Sequence, residues 1–322
     1  MRELFARLRS YKAGNIIIVF AVVQITCVVA SLLFPREFAY TDTSSIQTLL
    51  KSLSPIAIVS VGVGILMIAG EFDLSVGSNF AFTAYIMALI YQCNYSEWVA
   101  VAAALALGGF IGLLNGLITL KAKIPSFIAT LGALMFWRGM LQIISGGRTE
   151  SMAPGGFFEN IFAGNIGPIQ AQFIWAIAIA AMGYLLLERH RLGNHIFGVG
   201  GNVESAKAIG VSPNTVKMAC FIIVGVLAAL AGVISTARVY SVSPDQGRGY
   251  ELQAIAACVI GGVSLTGGSG SVLGIFLGTA LLFTIQSVLL LLRAPGFYLD
   301  MFMGILIVVA VIFNRLTKKD KG

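Results

Sequence analysis

Residues 46–92 read IQTLLKSLSPIAIVSVGVGILMIAGEFDLSVGSNFAFTAYIMALIYQ. Two apolar runs, 46–69 and 74–92, are separated only by Gly70-Glu71-Phe72-Asp73. Each has about the 20 residues that an α-helix needs to cross the hydrocarbon of a bilayer. In lipid a backbone must satisfy its own N–H and C=O groups, and a helix does so within one segment. The stretch therefore predicts two membrane helices joined by a tight polar turn.

Outward from this pair, the same criterion finds spans near 14–34, 97–120, 125–145, 168–188, 216–238, 271–292 and 297–314, with a short one at 251–263. Ten segments predict an all-α integral membrane protein, with residues 1–322 as a single transmembrane domain. The short segment covers about 20 Å at 1.5 Å per residue, which suits a half-helix that turns back inside the membrane. Composition agrees: 57% of 322 residues are apolar and only 11% are charged, where an ordinary globular domain has about 25% charged residues. The mean hydropathy is +0.90. A soluble enzyme, a disordered chain and a nucleic-acid-binding domain are excluded.

The net charge of +7, from 21 Lys and Arg against 14 Asp and Glu, reads as topology, because basic residues gather on the cytoplasmic flanks of membrane helices. With the N-terminus inside, that side collects Arg2, Arg7, Arg9, Lys12, Lys121, Lys123, Arg189, Arg191, Lys207, Lys217, Arg315, Lys318, Lys319 and Lys321. Both termini are expected in the cytoplasm. The first segment is too long for a secretory leader and is read as a retained helix.

Two loops exceed a connector: 189–215, expected to be cytoplasmic, and 146–167, expected to be external and holding Arg148, Glu150 and Glu159. Residues 70–78, GEFDLSVGS, align with 261–269, GGVSLTGGS. An offset of six segments gives both copies one orientation, as in a parallel repeat; chance likeness between glycine-rich turns is the alternative. Asp73 and Ser75, and Ser264 and Thr266 in the second copy, are expected to cap the helices that follow.

Gln24, Asn115, Arg138, Gln142, Gln253 and Gln286 lie inside spans, where polar groups face the bundle interior and either bond between helices or touch a polar solute. The candidate solute pathway comprises Asp73, Ser75, Asn79, Asn115, Phe127, Gln142, Gln253, Ser264, Thr266 and Gln286. The acidic residues Glu71, Asp73, Glu97, Glu251 and Asp300 fall near span ends, which argues against a proton relay. Cys27, Cys93, Cys220, Cys258, His190 and His195 lack metal-ligand spacing, so no metal or other cofactor is expected. No phosphate-cradling Gly-x-x-x-x-Gly-Lys-Ser/Thr stretch exists, and the chain is not expected to hydrolyse ATP.

In the 189–215 loop, Asn202 suits the N-cap of a short helix, Val203-Glu204-Ser205-Ala206-Lys207-Ala208-Ile209, ended by Gly210 before Pro213. Such a helix, with small apolar groups on one face and Glu204 and Lys207 on the other, suits docking of another protein or a plain amphipathic connector.

The run Gly193-Asn194-His195-Ile196-Phe197-Gly198-Val199-Gly200-Gly201-Asn202, continuing through Glu204, Ala206, Ile209-Gly210-Val211 and Lys217, resembles the cytoplasmic signature of permease subunits in ribose/xylose-type ABC importers. Asp73-Leu74-Ser75-Val76-Gly77-Ser78, Ile124 to Gly132 with Arg138-Gly139, and Gly249 to Leu252 through Gly261-Gly262 and Ser264-Leu265 agree in order over nearly the whole chain. The resemblance implies two permease subunits forming the pathway, this chain paired with itself or with a paralogue. It implies a separate cytoplasmic ATPase holding ATP and Mg, and an extracytoplasmic solute-binding protein received by the outer loops, in a bacterial plasma membrane. By this resemblance Asn202 to Gly210 form the ATPase-coupling helix. The chain departs from the family's pattern at Glu71, where a second glycine is common, at Gln253, where Asp or Asn is common, and at Arg248, where a small residue is common.

The resemblance thus implies an importer subunit for a monosaccharide or similar small polar solute, working by alternating access; relatives also carry autoinducer-type molecules and nucleosides. A stand-alone secondary transporter or facilitator is the competing class, and would need a buried titratable site. An intramembrane enzyme would need a nucleophile–base pair or a metal cluster, which the sequence does not offer.

Overall fold

A computed structural model of the protein describes residues 14–295 apart from 168, together with residues 298, 301, 302, 304, 305, 308 and 312. The N-terminal basic cluster, most of the expected tenth span at 297–314 and the C-terminal basic cluster lie outside the described residues. Helices dominate: α1 Gly14–Leu33, α2 Thr43–Ile68, α3 Val76–Gln92, α4 Glu97–Lys121, α5 Ser126–Ser145, α6 Gly156–Phe162, α7 Ala171–Glu188, α8 Arg191–Gly201, α9 Val203–Ala208, α10 Pro213–Val239, α11 Tyr250–Ile260 and α12 Val272–Leu291. Among the described residues, α1, α2, α4, α5, α7, α10 and α12 are the seven helices long and apolar enough to cross a membrane. Helix α3 has 17 residues and α11 only 11, so the expected short segment is a helix of three turns.

The bundle is built around α2, buried from Leu53 through Ile68 and packed against α7, α10, α11 and α12. Lipid tails are as apolar as leucine, so helices associate in a bilayer through close backbone approach, which small residues allow. Gly108, Gly112 and Gly116 form a ridge on α4 that meets α10. A Cβ on Gly108 would lie 2.6 Å from the Gly225 carbonyl oxygen, and one on Gly116 would lie 2.6 Å from the Met218 sulfur. Helices α11 and α12 cross in the same way, where Gly261 and Gly274 face each other's carbonyls.

Both expected loops contain more structure than a connector. The 189–215 segment holds two helices, α8 and α9. Helix α8 carries four glycines, a composition that disfavours a helix, yet Gly193, Ile196 and Val199 bury one face of it. The 146–167 segment forms β1 (Glu150–Ser151), α6 and β2 (Asn165–Ile166), and β2 pairs with β3 (Ile169–Gln170). That hairpin is why the expected span at 168–188 begins as a helix only at Ala171. Strand β1 pairs antiparallel with β4 (Ser241–Val242), which ties the 146–167 segment to the chain that follows α10. Phe158 and Phe162 of α6 join Trp98 and Trp175 in a chain of aromatic contacts, with ring centroids 4.9–5.6 Å apart from Trp98 to Phe158, Phe158 to Phe162 and Phe162 to Trp175.

Candidate functional site

The connector between α2 and α3 is set by local rules first. Helix α2 ends at Gly70, whose φ of +86° lets its N–H reach the Met67 carbonyl while Glu71 N–H reaches that of Leu66. This left-handed glycine cap satisfies carbonyls that the helix end leaves over. The amides that follow are then met by side chains. Phe72 N–H donates to Ser126 Oγ at 3.1 Å, Leu74 N–H to Thr130 Oγ1 at 3.0 Å and Ser75 N–H to Asp73 Oδ1 at 2.7 Å.

Asp73 is buried. Its carboxylate also accepts from Ser75 Oγ at 2.7 Å and from Asn115 Nδ2 at 3.2 Å, and the same Asn115 amide donates to Ser75 Oγ at 2.8 Å. The expected capping by Asp73 and Ser75 is corrected by this geometry: Ser75 sits at the N-cap of α3 without a side-chain cap bond, and Asp73 closes a turn onto Ser75 instead. Ser264 Oγ likewise accepts from Thr266 N–H at 3.2 Å, while α12 starts later and is capped by Ser271 Oγ, which accepts from Gly274 N–H at 3.1 Å.

One turn into α3, Asn79 Nδ2 donates to the carbonyls of Gly225 at 3.2 Å and Gly108 at 3.4 Å. Both glycines lie near the midpoints of their helices, so α3 begins halfway through the bundle. Gly77 there meets Gly247, where a Cβ would lie 2.8 Å from the Gly77 carbonyl, and the Glu251 carboxylate. The chain leaving α10 therefore folds back over 243–249 to the middle of the bundle before α11 starts. Arg138 on α5 ties this junction: its Nη1 donates to Pro244 O at 2.6 Å and Gln246 O at 2.9 Å, and its Nη2 to Gly77 O at 3.0 Å. Gln142, one turn on, donates to Asp245 at 3.2 Å, and Asp245 also pairs with Arg248 at 2.8 Å. Two helices thus begin beside one half-buried guanidinium, with the positive ends of their dipoles inside the bundle. In transporters, interrupted helices of this kind form the substrate site near the bilayer midplane.

On the opposite side of the junction, α9 forms as expected. Asn202 Oδ1 accepts from Ser205 N–H at 2.9 Å, Gly210 takes φ +84° and Pro213 opens α10. Its faces differ from expectation. Ala206 is buried against the protein, Val203 is half-buried, and Glu204, Ser205, Lys207, Ala208 and Ile209 are exposed, Ile209 at 79%. Lys207 pairs with Glu204 at 2.9 Å.

The remaining expected residues fall apart in space. Phe127 lies exposed on α5 at 53%, Gln253 is half-buried in the first turn of α11 and Gln286 is half-buried on α12. Gln24 bonds Thr284 at 2.9 Å and accepts from Tyr40 at 2.7 Å. That pair borders a cavity of about 600 Å³ between α1, α2, α7 and α12, which none of the expected pathway residues line. Sequence reasoning missed Ser126, Thr130 and the pair of Lys217 with Glu71 at 2.6 Å. The available signal was a hydroxyl pair at i, i+4 in the otherwise apolar first half of the helix.

Apolar helices packed through glycine, with two starting inside the bundle, define a multi-pass integral membrane protein built like a transporter. The family model described as "Branched-chain amino acid transport system / permease component" matches residues 45–311, and the chain belongs to that family. It is 35% identical over 294 residues to the ribose import permease protein of Escherichia coli, covering 89% of each chain. It is 32% identical over 292 residues to the autoinducer 2 import system permease protein of Salmonella choleraesuis, covering 89% of this chain and 83% of that one. No solved structure matches it.

Proposed function

We propose that this chain is the membrane permease subunit of an ATP-driven importer for a monosaccharide or a similar small polar solute. Its relatives named as ribose and autoinducer 2 import permeases support the solute class. The chain does no covalent chemistry in this reading. A separate cytoplasmic ATPase holds ATP and Mg, a second permease subunit completes the pathway and an extracytoplasmic binding protein delivers solute to the tied outer loops. The protein sits in the bacterial inner membrane with about ten transmembrane segments, one of them short, and both termini inside.

The observation that carries the reading is α9. Six residues, capped at both ends, stand between α8 and α10 with Ala208 and Ile209 exposed side by side, an apolar edge on an otherwise polar loop that suits a contact with another protein. Solute passes beside the Arg138–Gln142 face of α5 and the 244–251 segment, where the two helices begin. Weak contacts from neutral groups suit a solute that must also leave.

The test is reconstitution with the cognate ATPase and D-ribose as the first probe. Retention of the ATPase and uptake that stops on ATP depletion are expected. Ala208→Asp should abolish uptake while the protein stays folded, and unchanged uptake would remove α9 from the contact. Ala206→Asp is unsuitable, because Ala206 is buried in its own chain. Uptake that follows pH instead of ATP would favour a secondary transporter.

A further inference from the structure

The cytoplasmic helix α9 is anchored on both flanks to one turn of the membrane bundle. On its N-terminal flank, Gly200 lies three residues before α9 begins. A Cβ there would overlap the Ile68 carbonyl oxygen and lie 2.7 Å from Gly268 N, and a Cβ on Gly70 would reach only Gly200, at 3.9 Å. Gly268 N–H in turn donates to that Ile68 oxygen at 2.9 Å. Gly267, with φ +81°, is as tightly held: a Cβ there would lie 2.8 Å from Gly200 O and 2.9 Å from Gly70 Cα. Three stretches of bare backbone, the end of α2, the end of α8 and the 266–268 loop, therefore touch at one point. On the C-terminal flank of α9, Lys217 in the second turn of α10 pairs with Glu71 at 2.6 Å, both side chains largely buried.

Backbone packed against backbone has no rotamers to absorb a displacement, and interiors at this density transmit strain. A largely buried ion pair is similarly costly to separate. From these contacts we infer that the Gly70–Glu71 turn receives the movement of α9, gripped by Gly200 on one flank and by Lys217 on the other. Both are positioning residues: they act through α9 and touch no solute. The turn passes the movement to the 72–75 connector and so to the start of α3 beside Arg138. The inference rests on the reading of α9 as the ATPase contact.

The test follows amide exchange in the assembled complex of this chain and its ATPase, with and without MgATP plus vanadate. The reporters are the amides of Phe72, Leu74 and Ser75, each bonded to a side chain, and of Gly268. In the wild type, nucleotide should change exchange in α8–α9 and at these reporters together. In Gly200→Ala and in Lys217→Met the ATPase should still co-purify and α9 should still be protected, while the reporters' response falls about tenfold, within the range by which residues along a coupling path act. Lys217→Arg should restore the response. Gly201→Ala should match the wild type, since its Cβ meets only Gly268 Cα at 3.9 Å.

Reporters that respond as in the wild type when Gly200 or Lys217 is changed overturn the inference. If the variants fail to fold, the wild type decides, and an α9 that responds while the reporters do not overturns it equally. A wild-type chain that retains no ATPase overturns the reading of α9 beneath it, and the inference falls with that reading.

Discussion

The two glycine turns at 70–75 and 262–268 end their helices alike and then diverge. After α2, Gly70 at φ +86° sends its N–H to Met67; after α11, Gly262 at φ +86° sends its N–H to Val259. In each, a side-chain oxygen then accepts the amide two residues on, Asp73 from Ser75 and Ser264 from Thr266. The second turn has one residue fewer between glycine and acceptor, so an alignment that matches the acceptors misplaces the glycines by one. From there the first turn is embraced by Ser126 and Thr130 of α5, Asn115 of α4 and Lys217 of α10, and opens α3 at once. The second continues as loop through buried Gly267 and half-buried Gly268, and α12 begins only at Val272. One local rule thus produces a fixed start for a half-helix where neighbours supply donors and acceptors, and a backbone-to-backbone seam where glycines admit another chain segment.

That contrast breaks most readily at Asp73. Asp73→Ala strands three donors at a buried position, and each orphaned group there costs its desolvation. A loss of about 3 kcal/mol is expected in detergent unfolding. Stability close to the wild type would mean that the first turn is held by its neighbours alone.

The next largest effect is at α5. Thr130→Val keeps the shape but removes the acceptor for Leu74 N–H, at an expected cost of about 1–2 kcal/mol. Amide exchange at Leu74 should rise in proportion, which separates a lost hydrogen bond from a general loosening of the helix. Gly70→Ala and Gly262→Ala then test what the turns share. An alanine at φ +86° is strained by about 1–2 kcal/mol wherever it sits, so the two costs should agree before clashes add to them. A Cβ on Gly70 meets only Gly200 Cα at 3.9 Å, an ordinary contact, so no clash is expected to add to the strain there.

Much of this architecture was legible because lipid enforces it. A run of about 20 apolar residues has no stable alternative to a helix in a bilayer, so the starts of α4, α5 and α10 fall within three residues of the expected spans. Helix α9 was legible because its cap is local: Asn202 reaches an amide three residues away. What could not be read were partners remote in sequence. Ser126 answers an amide 54 residues earlier, and Lys217 finds Glu71 across 146. The glycines at 200, 267 and 268 look like slack in a sequence. Their work is close approach, which appears only when both segments are placed. Arg138 could be assigned to the interior, but its carbonyl acceptors lie in a segment that leaves α10 and returns.

The smallest effect belongs to the second turn and sharpens the comparison most. Ser264 Oγ accepts from Thr266 N–H at 3.2 Å, and Thr266 is exposed. In Ser264→Ala the freed amide can turn to water, so the loss should be about 0.5 kcal/mol, near the lower end for a single hydrogen bond. The same deletion of a turn's acceptor would then cost several times less than in Asp73→Ala, and the difference measures the neighbours, since the local motif is common to both. Chemical unfolding of the two variants side by side checks it. Equal losses would mean that the turn itself carries the energy and that the grip of α4 and α5 on the first copy adds nothing to stability.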